Sequence, residues 1–135
     1  MKRASWLKKS NVASPWENQG FLLWHRFHDW QRTINAVLRP YDLTQLQFST
    51  LAVTGWLGRN GDTVTQQDIS DFARLDRMLV SQVVRKLEKK GLVERMRRSN
   101  DRRAVCVSLT DAGEKALAKS LPVVQAADAE FFSSK

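Results

Sequence analysis

Residues 76–113 read DRMLVSQVVRKLEKKGLVERMRRSNDRRAVCVSLTDAG, and this stretch decides the fold. Asp76 carries a carboxylate suited to capping a helix N-terminus. Leu79, Val83 and Leu87, with Val80 and Val84 beside them, recur at helical spacing and predict a buried stripe. Gly91 suits the residue just past a helix end, so the helix should run to Lys90. The faces left over carry Arg77, Ser81, Gln82, Arg85, Lys86 and Lys89. The period then changes. Leu92–Arg97 reads as one strand, Arg98–Arg102 as a tip, and a return strand alternates Val105, Val107 and Leu109 with Ala104, Cys106 and Ser108. Thr110-Asp111 caps a further helix, which Pro122 should kink or restart.

Working outward, Thr65 with Asp68 three residues on predicts a short helix, with Ile69, Phe72 and Ala73 inward. Thr44 with Gln47 opens another, built on Leu46, Phe48, Leu51, Ala52 and Trp56 and ending near Gly58. Ser14, Pro15 and Glu17 read as the start of a long first helix that Pro40 ends at Arg39. Its apolar residues Leu23, Phe27, Trp30, Ile34 and Val37 form one stripe, and Trp24 with His28 a second, so it needs more than one surface to pack against. The expected architecture is mainly α with a small β-hairpin wing, a winged helix-turn-helix between long N- and C-terminal helices. The expected divisions are a flexible basic tail over 1–15, a dimerisation helix over 16–43, the winged helix-turn-helix over 44–110 and a second dimerisation helix over 111–135.

The chain has 135 residues and a formal charge of +8. The location of that charge is more informative than its size. Residues 74–103 hold eleven Lys/Arg against four acids, on the polar helix and the hairpin. A polyanion is the natural partner of such a block. A helix fits the major groove of a duplex, and arginines on a hairpin can reach the backbone and the narrower minor groove. Double-stranded DNA is therefore the expected partner.

Other classes have little to stand on. No nucleophile–base arrangement or phosphate-cradling glycine loop points to an enzyme. No cofactor motif is visible. His25 and His28 lack Cys or carboxylate partners at metal spacing, so no metal is expected. The single cysteine, Cys106, excludes an intrachain disulfide and suits a reducing cytoplasm, the expected compartment. Neither a secretory leader nor an 18-residue apolar run suggests a membrane. An architectural, sequence-indifferent and ligand-independent DNA binder is the alternative; Ser81, Gln82 and Arg85, able to read bases, argue against it.

The sequence strongly resembles the MarR family of bacterial winged-helix regulators over about residues 19–132. The resemblance is carried by Leu87-Glu88-Lys89-Lys90-Gly91-Leu92-Val93-Glu94-Arg95, by Asp101-Arg102-Arg103, and by Leu109-Thr110-Asp111-Ala112-Gly113. Leu43-Thr44 with Gln47 and Leu51 extends it upstream. The resemblance implies a homodimeric transcriptional regulator, a repressor in the main reading, on a palindromic operator. In many members a small aromatic carboxylate or phenol releases the DNA. Base-reading positions fall on Arg77, Met78, Ser81, Gln82 and Arg85, with Lys86 beside them. Wing positions fall on Arg97, Arg98, Asp101, Arg102 and Arg103, with Asp101 expected to hold a neighbouring arginine in place. A ligand pocket is expected from Trp24, His25, His28, Phe48 and Trp56, where the first two helices meet. Family members usually continue for another helix beyond the position of Phe131-Phe132, so the expectation here is a reduced interface or a shortened form.

Overall fold

The computed structural model describes residues 4–98 and 101–133, with side chains described for 4–97 and 104–133. Five helices and one antiparallel hairpin follow in the order α1 (Gln19–Leu38), α2 (Gln45–Leu57), α3 (Gln66–Ala73), α4 (Arg77–Lys89), β1 (Val93–Arg98), β2 (Asp101–Leu109) and α5 (Asp111–Ser133).

Three helix starts follow the local chemistry. Thr44 and Thr65 each accept from the backbone N–H three residues on, while Gln47 and Asp68 reach back to the cap residue. The Asp76 carboxylate accepts from the Met78 N–H at 3.1 Å. These bonds satisfy donors that a helix start otherwise leaves unpaired. Between α3 and α4 the chain turns through Arg74, held at φ 58°. The Leu75 N–H donates to Ser70 O, and the Ser70 hydroxyl donates to Leu75 O at 2.6 Å. That pair of bonds locks the turn and sets the angle between α3 and α4.

The core gathers Ile34 and Leu38 from α1, Phe48 and Leu51 from α2, Ile69 from α3, and Val80, Val83, Val84 and Leu87 from α4. Val93 and Val107 seal it from the hairpin and Val124 from α5. The hairpin pairs Val93 with Leu109 through Arg97 with Val105. A third segment joins it: Thr65 bridges to Cys106, and the Val107 N–H donates to Val64 O at 2.8 Å. This pins the wing against the start of α3, an attachment that the hairpin's own alternation does not reveal.

Several expectations need correction. The first helix does not run from Pro15. Pro15–Glu17 is a separate 3-10 turn, and Asn18 is extended (φ −90°, ψ 122°) before α1 begins. The turn lets Trp16 fold back onto Phe21 and His25, with ring centroids 5.0 and 4.6 Å apart. Phe72 points outward, 55% exposed, because Ile69 and Ser70 already fill the buried side of a two-turn helix. Pro122 does not restart the chain as a separate helix; α5 is continuous through it. Its missing N–H removes one helical hydrogen bond, but buried Ser120 and Val124 anchor the helix on both sides. The return strand starts at Asp101, so Arg98 and residues 101–102 belong to strands, not to the tip.

α5 packs back along α1, and the Trp30 Nε1–H donates to Asp128 Oδ1 at 2.6 Å between them. The N-terminal half of α1 stays open: Leu22, Leu23, Trp24 and Phe27 are exposed, as is Phe132 on α5.

Candidate nucleic-acid interface

Winding at roughly 100° per residue, α4 divides into two sides. Val80, Val83, Val84 and Leu87 are buried on one. Arg77, Met78, Gln82, Arg85, Lys86 and Lys89 are exposed on the other, with Ser81 half-buried among them. All six recognition-helix residues expected from the sequence thus share one outward face. α4 is held rigidly from behind. Lys90, just past its end, donates to Gln47 Oε1 at 3.0 Å and to the Asp42 carbonyl, tying it to the start of α2. Arg95 of β1 pairs with Glu88 of α4 through Nε and Oε1 at 3.2 Å. Two charges of the basic block are therefore struts, Lys90 between the end of α4 and the start of α2, and Arg95 between the wing and α4. Charge counting along the chain does not separate these from residues free to meet a ligand.

Arg97 is exposed on β1, alongside exposed Met96. The side chains of Arg98, Asp101, Arg102 and Arg103, and with them the expected Asp101 clamp, lie outside the described residues. Arg74, exposed in the turn before α4, joins the basic surface. The sequence places it in the basic block of residues 74–103 but not among the base-reading or wing positions, because nothing local marks a residue that will adopt a left-handed conformation.

The five residues expected to form a ligand pocket are not gathered in one cavity. Trp24, His25 and His28 stack along α1 with Phe21 and Phe27, at ring separations of 4.5 to 6.1 Å. Phe48 is in the core. Trp56 is exposed at the end of α2, where the Arg59 guanidinium lies 3.7 Å from its ring centroid. Helical spacing gave Phe48 and Trp56 one face of α2, but they are more than two turns apart and meet different neighbours. The apolar groove that does form beside α1 is lined by Leu23, Arg26, Phe27, Trp30, Asp128 and Phe132 and includes none of the five. Among the described residues no group of His, Cys, Asp and Glu is placed to hold a metal ion, and no helix is long and apolar enough to cross a membrane.

A short helix, a locked turn, a second helix with a polar outward face and a hairpin wing pinned beside it define a winged helix-turn-helix of the DNA-binding class. Comparison with known proteins gives the family. The MarR family model matches residues 43–105. The uncharacterized HTH-type transcriptional regulator YdcH of Bacillus subtilis (strain 168) is 39% identical over 125 residues, which cover 93% of this chain and 85% of YdcH. The chain belongs to the MarR family of transcriptional regulators. Among solved structures, a MarR-family regulator from Rhodococcus sp. RHA1 superposes with a TM-score of 0.76 at 25% identity, over 93% of this chain and 84% of that one. A mutant MarR from E. coli complexed with operator DNA superposes with a TM-score of 0.70 at 27% identity, over 83% and 78%.

Proposed function

We propose that this regulator is a sequence-specific repressor that binds a palindromic operator as a homodimer, reading bases with α4 and gripping the backbone with the wing. The observation that carries the reading is the undivided outward face of α4. Arg77, Ser81, Gln82 and Arg85 offer donors and acceptors of the kind that match base edges, with Lys86 placed for phosphate. The wing residues Arg97, Arg98, Arg102 and Arg103 supply further cations, with Asp101 among them. A charge-only architectural binder has no need of Ser81 and Gln82 on that face. Mapping bound sites across the source genome, then competing the best site with unrelated duplex, tests the reading. A specific repressor keeps a preference of about a thousandfold or more. Equal competition by any duplex would leave only the architectural alternative.

Dimerisation follows from the open side of α1. Leu23, Phe27 and Phe132 are exposed around a groove of about 340 Å³, and contiguous apolar surface of this kind marks an interface. Arg26 lies over the rings of Phe131 and Phe132, at 4.6 and 5.6 Å from their centroids, and lends the groove a polar rim. A two-fold pairing there would set two copies of α4 one duplex turn apart, about 34 Å. Light scattering should report twice the chain's 15.5 kDa, and Phe27→Glu should return a folded monomer with weakened operator binding. A monomeric parent that binds its operator at full strength would remove the dimer from the account.

Release by a small aromatic carboxylate or phenol is read onto the Trp24–His25–His28 stack. Its rings offer flat apolar faces and its imidazoles offer hydrogen bonds to an acid or phenol. A ligand held there acts only by favouring a form that cannot bind DNA. A tenfold loss of affinity needs about 1.4 kcal/mol of differential binding. Titration of salicylate, benzoate and hydroxycinnamate against tryptophan fluorescence should show one binder that also weakens operator binding, with both effects blunted by His28→Ala. No response at millimolar levels would make the stack structural.

A further inference from the structure

We propose that Met78 is the thymine-reading residue of α4, packing against the C5-methyl group of one thymine in each half-site. The inference rests on the DNA-reading role of α4 argued above and adds which base one position selects. Met78 is 73% exposed, the highest exposure of any large apolar side chain among the described residues. α4 already buries a full apolar side through Val80, Val83, Val84 and Leu87, so Met78 is not a core residue displaced outward. It lies roughly 20° around the helix from Arg85 at ~100° per residue, and both are central to the outward face. Its exposed neighbours on α4 are polar, so on its own helix it belongs to no apolar patch of the kind that docks a protein. Leu23, Phe27 and Phe132 do form such a patch. The Asp76 cap holds the Met78 N–H at 3.1 Å and so fixes the first turn that projects the side chain.

The first turn of a recognition helix is the part that approaches base edges. In unmodified DNA the major-groove edges are hydrogen-bonding groups with one apolar exception, the thymine methyl. A thioether on an unbranched, adaptable chain can cover that methyl without leaving a polar atom unpaired. Arg85 and Gln82 beside it would take guanine and adenine, so the three residues together read three different base features.

Two random duplex pools test the assignment, one made with thymine and one with uracil, which lacks the methyl but keeps the O4 acceptor. Each is selected against the full chain. The thymine pool should enrich one thymine per half-site, and the uracil pool should lose the preference at that position alone. On the selected duplex, uracil at that position should weaken binding about fourfold per half-site and about fifteenfold for two, the worth of one buried methyl group each. Met78→Ala should bind both duplexes alike, while Met78→Leu should still discriminate. A uracil pool that yields the same consensus, or a Met78→Ala protein that discriminates as the parent does, overturns the assignment and leaves base reading by Gln82 and Arg85 standing. A pool with no consensus at all overturns sequence-specific reading and this assignment with it.

Discussion

Gly113→Ala should lower the melting temperature by about 10 °C or prevent folding. A Cβ built on Gly113 would lie 1.9 Å from the Leu92 carbonyl oxygen and 2.9 Å from its carbon. The obstacle is backbone, so no side chain can rotate out of the way. That same oxygen accepts from the Thr110 N–H at 3.1 Å, and the Thr110 hydroxyl donates to Gly91 O at 2.6 Å while accepting from the Gly113 N–H at 3.0 Å. Any shift of α5 that clears the methyl breaks this lattice, which joins the start of α5 to the end of α4. Overpacking of a tight site costs about 1–3 kcal/mol, more where the neighbour cannot yield. At the upper end, and with roughly 3–5 °C per kcal/mol for a chain of this length, the loss reaches ~10 °C. Circular dichroism melts of the parent, Gly113→Ala and Gly20→Ala make the comparison. A Cβ at Gly20 meets nothing within 4 Å, so that change should be neutral or stabilise by up to about 1 kcal/mol. If the two variants melt alike, α5 does not enter against Leu92 as described. The glycine of the Leu109–Gly113 motif thus has a steric cause.

Replacing Gln82 or Arg85 by Ala should cut operator affinity sharply and leave affinity for random duplex nearly unchanged. Both are exposed on α4, about one turn apart. Arg85 can pair bidentately with guanine and Gln82 with adenine. Each lost contact costs about 1–3 kcal/mol, and about twice that on an operator read by both protomers, so the fall should be roughly thirtyfold or more. Arg97→Ala supplies the contrast. A phosphate contact carries no sequence information, so its loss should weaken every duplex alike and flatten the log–log salt dependence by about 0.9 per protomer. Measurement at three salt concentrations on both duplexes separates the two behaviours. Equal losses on both duplexes for Arg85→Ala would place it on the backbone. An unchanged salt slope for Arg97→Ala would lift that part of the wing off the DNA.

What the sequence determined by itself is local and periodic. Thr44–Gln47, Thr65–Asp68 and Asp76 each mark a helix start because the bonds that satisfy a helix terminus span only two or three residues. Gly91, at φ 75°, marks an end because few residues other than glycine adopt that conformation freely. The buried stripe of α4 was legible from its period, except that Leu79 is only partly buried, and its polar remainder carried the candidate recognition residues with it. The tertiary structure decided whatever depends on surface supplied from far along the chain. Phe72 fits its helical pattern but remains 55% exposed. Pro122 is a breaker by local rule, yet it sits inside α5 because burial of Ser120 and Val124 outweighs one lost hydrogen bond. Trp56 and Phe48 share a pattern but not a neighbourhood, so the expected aromatic pocket is divided. Cys106 meets Thr65 from forty residues away and anchors the wing. Charge was legible as a quantity, but its division was not: Lys90 and Arg95 meet partners at the start of α2 and on α4, while Arg85 and Arg97 lie on the exposed faces of α4 and β1, because only packing determines which cations meet a partner from another element.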